Sequence, residues 1–176
     1  MASPNLFICC LLILATSLAN GFVLHGPVRA IRSSGTAIYG DVFAGTRSEI
    51  PDGERKILDT AEGAVIVTNQ GGKLFAVNAK CPHLGLPMKT GEIGTGTNGQ
   101  PTITCKFHNS KFQLEDGKCV SWCQGVMGLP GTGFLAGAMG KMGGKENSPA
   151  TTYEVKVVGS SPDEPPSPND KVYVVL

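Results

Sequence analysis

Short β-branched and apolar runs, each closed by glycine, asparagine, aspartate or proline, are the recurring pattern of the chain after its first forty residues. Glu54–Leu58 and Ala64–Thr68 are two such runs, and the second leads through Asn69-Gln70-Gly71-Gly72 into Lys73-Leu74-Phe75-Ala76-Val77, the turn chemistry of a β-hairpin. Thr102–Cys105 and Phe112–Leu114 predict two further strands, and Glu115-Asp116-Gly117 turns the chain into Lys118-Cys119-Val120. Near the end, Tyr153, Val155 and Val157 alternate within 151–158, and Val172, Val174 and Leu176 do the same within 171–176, so both ends of the domain are β. Gly91–Pro101 and the Gly- and Met-rich Gly125–Gly144 read as loops by composition. Ser160–Asp170, with Pro162, Pro165, Pro166 and Pro168, reads as an extended, exposed connection. The pattern predicts an all-β fold of antiparallel sheets.

The first forty residues are a different kind of segment. All 14 acidic residues lie at or after Asp41. Leu6–Ala19 is an apolar run too short to span a bilayer comfortably, followed by Ala19-Asn20-Gly21, and it reads as a signal-peptide core with residues 1–21 removed. Residues 22–40 carry Arg29, Arg32 and several hydroxyl side chains without an acid, the composition of an organelle transit peptide. A signal followed by a transit segment, with Phe22 at the junction, resembles the bipartite leaders of algae with secondary plastids. That resemblance implies a plastid protein; secretion or a retained anchor are the other readings. Residues 41–176 then form one domain, long enough for a real core, with no segment able to span a membrane as a helix. A net charge of +1 over 176 residues offers no broad basic face, which argues against a nucleic-acid partner.

Candidate chemistry concentrates at two places. After the leader there are two histidines, and each sits beside a cysteine: Cys81-Pro82-His83 and Cys105-Lys106-Phe107-His108. Thiolate sulfur and imidazole nitrogen are ligands for iron or zinc, and two such pairs on separate turns can converge on one site. A structural zinc with a Cys2His2 set and a fold that has lost its metal both remain open on ligand type alone.

Cys-x-His followed by Cys-x-x-His resembles the Rieske family. So do Cys81-Pro82-His83-Leu84-Gly85, Phe112 after the second motif, and the Pro149-Ala150 pair, which matches the family's proline loop. The resemblance covers roughly residues 43–176 and implies a Rieske fold: an antiparallel β base with a cluster-binding subdomain, residues 80–123, inserted as two loops. It further implies one [2Fe-2S] cluster, with Cys81 and Cys105 on one iron and His83 and His108 on the other. Ser110 stands where the family places a hydroxyl donor to a bridging sulfur, and Phe112 where it places a tyrosine. High-potential members carry a disulfide at positions held here by Leu86 and Phe107, so a low to intermediate potential is expected. The 21 residues between His83 and Cys105 exceed the family's usual spacing, and Gly91–Pro101 accounts for the excess. Cys119 and Cys123 flank Trp122 and read as structural thiols, with a regulated dithiol as the sharper alternative.

Three function classes follow from the resemblance. The first is a ferredoxin-like electron carrier whose partner is a reductase, an oxygenase or a photosynthetic complex. The second is an oxygenase system. No histidine remains after the leader to hold a mononuclear iron, so the chain enters that class only as a separate ferredoxin component, with no complete catalytic site of its own. The third is an accessory protein docking on a thylakoid complex through the 125–144 segment, which reads equally well as a lid over the cluster subdomain.

Overall fold

The computed structural model describes residues 40–127, 129, 132–159 and 165–176; the expected leader, 1–40, lies outside the described residues except for Gly40. Among the described residues, ten strands form two antiparallel sheets. In the first, β1 (Asp41–Thr46), β2 (Arg55–Thr60), β3 (Gly63–Gln70), β4 (Lys73–Asn78), β9 (Thr152–Val158) and β10 (Lys171–Val175) run in the order β1-β10-β9-β4-β3-β2. In the second, β5 (Glu92–Thr95), β6 (Pro101–Thr104), β7 (Lys111–Gln113) and β8 (Cys119–Ser121) run in sequence order. A helix, α1 (Gly133–Gly140), follows β8. The expected all-β fold is the observed one.

The predicted hairpin is β3–β4. Gln70 pairs with Lys73, so the loop is Gly71-Gly72, with φ of 63° and 81°. Two consecutive positive φ values are what a type I′ turn demands and what glycine supplies without strain. The same hairpin links two cores. Along β3, Val65 and Val67 face one cluster with Ala44, Ile50, Ala76, Val172 and Val174. Ile66, between them, faces the other with Phe75, Val77, Met88, Ile103, Phe112 and Leu114. A strand buried on both faces reads as a continuous apolar run, which Ala64-Val65-Ile66-Val67 is. The second sheet and the two Cys–His loops therefore pack on one face of the first sheet, while β1, Ile50 and β10 close over the other.

Two segments read as loops are partly regular. Within Gly91–Pro101, Glu92–Thr95 forms β5, pairing Ile93 with Ile103 of β6. Glycine at 91, 94 and 96 hides the strand in the sequence, and pairing to β6 supplies the backbone hydrogen bonds that propensity does not. Arg55 donates to the carbonyls of Gly91 at 2.6 Å and Lys89 at 3.2 Å, tying the start of this excursion to β2. Within Gly125–Gly144, Gly133–Gly140 is α1, a glycine-rich turn of helix whose conformation is fixed by what it touches. β1 was also unforeseen: a bulge between Phe43 and Gly45 breaks its alternation, leaving Phe43 exposed and Ala44 buried.

Candidate metal centre

The two ligand motifs sit on loops with the same backbone closure. In the loop after β4, the Cys81 N–H donates to the Leu86 carbonyl and the Gly85 N–H donates to the Cys81 carbonyl, both at 2.8 Å. In the loop after β6, the Cys105 N–H donates to the Ser110 carbonyl at 2.8 Å and the Asn109 N–H to the Cys105 carbonyl at 2.9 Å. Each loop thus joins its cysteine to the residues four and five positions on. The fourth position is left-handed in both, Gly85 at φ 68° and Asn109 at φ 56°, and glycine and asparagine are the residues that tolerate it. Histidine follows its cysteine by two residues in one loop and by three in the other.

Inside each closure, backbone amides aim at sulfur. The N–H groups of His83 and Leu84 donate to the Cys81 sulfur, and those of Phe107 and His108 to the Cys105 sulfur. Both cysteines are buried, and their thiols are hydrogen-bonded to each other. The hydrogen shared with Cys81, together with the two amides, holds the Cys105 thiol below the usual thiol range. Sharing that hydrogen, and burial, push the Cys81 thiol up. A sulfur pair surrounded by N–H donors is prepared to carry negative charge and to bind a cation.

The imidazoles pair as well. The rings of His83 and His108 lie 4.9 Å apart, edge to face, and the Trp122 ring meets His83 at 5.1 Å. His83 Nε2 stands 2.7 Å from the Met139 carbonyl oxygen. A carbonyl only accepts, so Nε2 carries the hydrogen and Nδ1 presents a bare lone pair. Nδ1 is buried without a partner among the described residues. An orphaned acceptor of that kind calls for a cation. Burial and the neighbouring His83 hold His108 below the usual histidine range, which keeps it neutral and able to ligate.

Donors are therefore sorted by type, sulfur with sulfur and nitrogen with nitrogen. Among the described residues no three His, Cys, Asp or Glu side chains are set to hold one ion. The partition suits a two-iron centre with cysteines on one iron and histidines on the other, rather than one tetrahedral zinc. The residues present fit a [2Fe-2S] cluster, which when bound supplies a site for one electron.

Of the other residues singled out from sequence, Ser110 is fully buried, and its Oγ accepts the Cys123 N–H at 3.0 Å. Phe112 is fully buried in the core beneath the loops. Pro149 is exposed; its neighbour Ala150 is buried and donates to the Gly117 carbonyl at 2.8 Å. Cys119 and Cys123 are both free thiols. What sequence reasoning missed is the chain that lies on His83. The Gly144 N–H donates to the His83 carbonyl at 2.5 Å, and a Cβ built at Gly143 would stand 2.6 Å from the His83 ring. The side-by-side glycines were the available signal, since only glycine permits so close a backbone approach.

Fold and site together define an iron–sulfur protein built on antiparallel sheets. The Rieske [2Fe-2S] domain family matches residues 41–127, and the chain belongs to that family. It is 36% identical over 88 residues to the cytochrome b6-f complex iron-sulfur subunit of Chlorobaculum thiosulfatiphilum, a match covering 50% of this chain and 42% of that subunit. The chain thus aligns with less than half the length of that relative. It is 28% identical over 119 residues to the 3-phenylpropionate/cinnamic acid dioxygenase ferredoxin subunit of Shigella boydii serotype 4, covering 68% of this chain and 87% of that subunit. The ferredoxin of carbazole 1,9a-dioxygenase from Nocardioides aromaticivorans IC177 shares the fold, with a TM-score of 0.50 at 18% identity, covering 77% of this chain and 96% of that one.

Proposed function

We propose that this protein is a one-electron carrier of the ferredoxin type, binding a single [2Fe-2S] cluster through Cys81, Cys105, His83 and His108. The observation that carries the reading is the sorted donor set: a buried thiol pair ringed by four amide N–H groups beside an imidazole whose Nδ1 is bare and buried. Neutral histidines in place of two thiolates raise the potential above that of all-cysteine clusters, and the family spans about −150 to +300 mV. Leu86 and Phe107 stand where high-potential members carry their disulfide, so a low to intermediate potential is the accompanying proposal.

The partner is another redox protein. Similarity along 87% of a dioxygenase ferredoxin subunit favours a role as the separate ferredoxin of a multi-component oxygenase over docking on a photosynthetic complex. Among the described residues no helix is long and apolar enough to cross a membrane. The composition of residues 1–40 supports delivery to a plastid, with secretion as the competing destination.

Electron paramagnetic resonance of the full chain, reconstituted with iron and sulfide and then reduced, tests the assignment. A rhombic signal with an average g below that of all-cysteine clusters, lost in both His83→Ala and His108→Ala, is expected. Zinc bound in place of iron, or no signal, would overturn the carrier reading.

A further inference from the structure

The segment after β8 crosses both ligand loops. At its start, the Cys123 N–H donates to Ser110 Oγ at 3.0 Å, the Gln124 N–H to the His108 carbonyl at 2.9 Å and the Met127 N–H to the Phe107 carbonyl, and none of these bonds involves the His108 ring. At its end it closes over His83. The last turn of α1 presents carbonyls that have no partner within the helix. Two of them accept from the site: Met139 from His83 Nε2, at 2.7 Å, alongside the Met142 N–H at 3.1 Å, and Gly140 from Trp122 Nε1, at 3.1 Å. The Gly144 N–H to the His83 carbonyl, at 2.5 Å, is the third latch. The two histidines end up unequal. His83 is 1% exposed with its outer nitrogen spoken for, whereas His108 is 7% exposed and hydrogen-bonds no described side chain through its ring.

Hydrogen bonds hold α1 down together with Met139, which packs against the core, while Phe134 is 81% exposed and Met142, just beyond the helix, 69%. A cleft of 330 Å³, lined by Trp122, Cys123, Gln124, Gly133, Gly140 and Lys141, separates part of the helix from the body. A segment with little buried apolar surface opens at small cost, and its opening is set by the few bonds that latch it.

We propose that residues 132–144 are a cap latched onto the His83 edge, sealing that ligand from a partner and leaving the His108 edge as the side where electrons are exchanged. The inference rests on the proposed carrier function. The exchange is a single electron passing from a reduced one-electron donor protein to the oxidised cluster, with no bond made or broken in this chain. An arriving partner meets the His108 loop, with Asn109 and Lys106 beside it, while the cap prevents contact at His83.

Diethyl pyrocarbonate labelling of the full chain, with and without cluster, reads the cap directly. Trypsin cleavage after Lys80, Lys89, Lys106 and Lys111 places His83 and His108 in separate peptides for mass spectrometry. His108 should label about tenfold faster than His83, because His83 reacts only through openings of the cap. Trp122→Phe keeps the ring but loses one latch, which should raise His83 labelling about threefold to tenfold. Gly143→Val places a side chain against the His83 ring and should bring the two rates together. Equal labelling in the unaltered chain, or a ratio that neither variant changes, would overturn the cap. The latches exist without the cluster, so a preserved ratio combined with a missing resonance signal would count against the carrier function alone.

Discussion

Replacing Ser110 by alanine separates two roles that one oxygen performs. Ser110 is fully buried, and its Oγ is the acceptor, at 3.0 Å, for the N–H of Cys123. Cys123 is itself buried and held at φ 44°, a conformation its side chain disfavours, so this bond fixes the turn that leads into the cap. The alanine variant leaves a buried N–H without a partner, which costs about 1–3 kcal/mol. Because Oγ accepts from Cys123, its own hydrogen remains to donate toward the cluster. A donor to a sulfide stabilises the reduced, more negative form, so its removal lowers the reduction potential. A net hydrogen bond of about 0.5–1.5 kcal/mol corresponds to roughly 20–60 mV for one electron. Urea unfolding measures the first effect and a redox titration followed by paramagnetic resonance the second. Unchanged stability would refute the claim that Cys123 depends on Ser110, and a potential that holds or rises would refute the donation to the cluster.

Phe112→Ala empties a fully buried site beneath both ligand loops and should cost about 3–5 kcal/mol, seen as a lowered urea midpoint. Gly85→Ala and Asn109→Gly test the shared loop closure. Nothing lies within 4 Å of a Cβ at Gly85, so its cost of about 1–2 kcal/mol is purely conformational, whereas Asn109→Gly should be close to neutral by the same melting assay. Burial pushes both the Cys119 and the Cys123 thiols up, so at pH 8 they are protonated and slow to alkylate, and their rates should climb as pH rises past 9. Iodoacetamide labelling should be the same under reducing and oxidising conditions; loss of labelling on oxidation would show that they pair.

The candidate ligands and most of the strands are legible in the sequence, because both are written in local chemistry. Cys81-Pro82-His83 and Cys105-Lys106-Phe107-His108 place their donors within one turn, so no distant contact is needed to see them. The β3–β4 hairpin follows from Gly71-Gly72 and its flanking apolar runs, and β9 and β10 from simple alternation. What lacks a local signature depends on long-range packing. β5 exists because β6 pairs with it, and β1 because β10 does, each too rich in glycine or too irregular to announce itself. α1 has no helical repeat to read; its place comes from His83 and Trp122 donating to its last carbonyls. The inequality of the two histidines was likewise invisible in the motifs. It arises from a segment more than fifty residues beyond His83 folding back onto it, and such long-range closure is specified only by the finished packing.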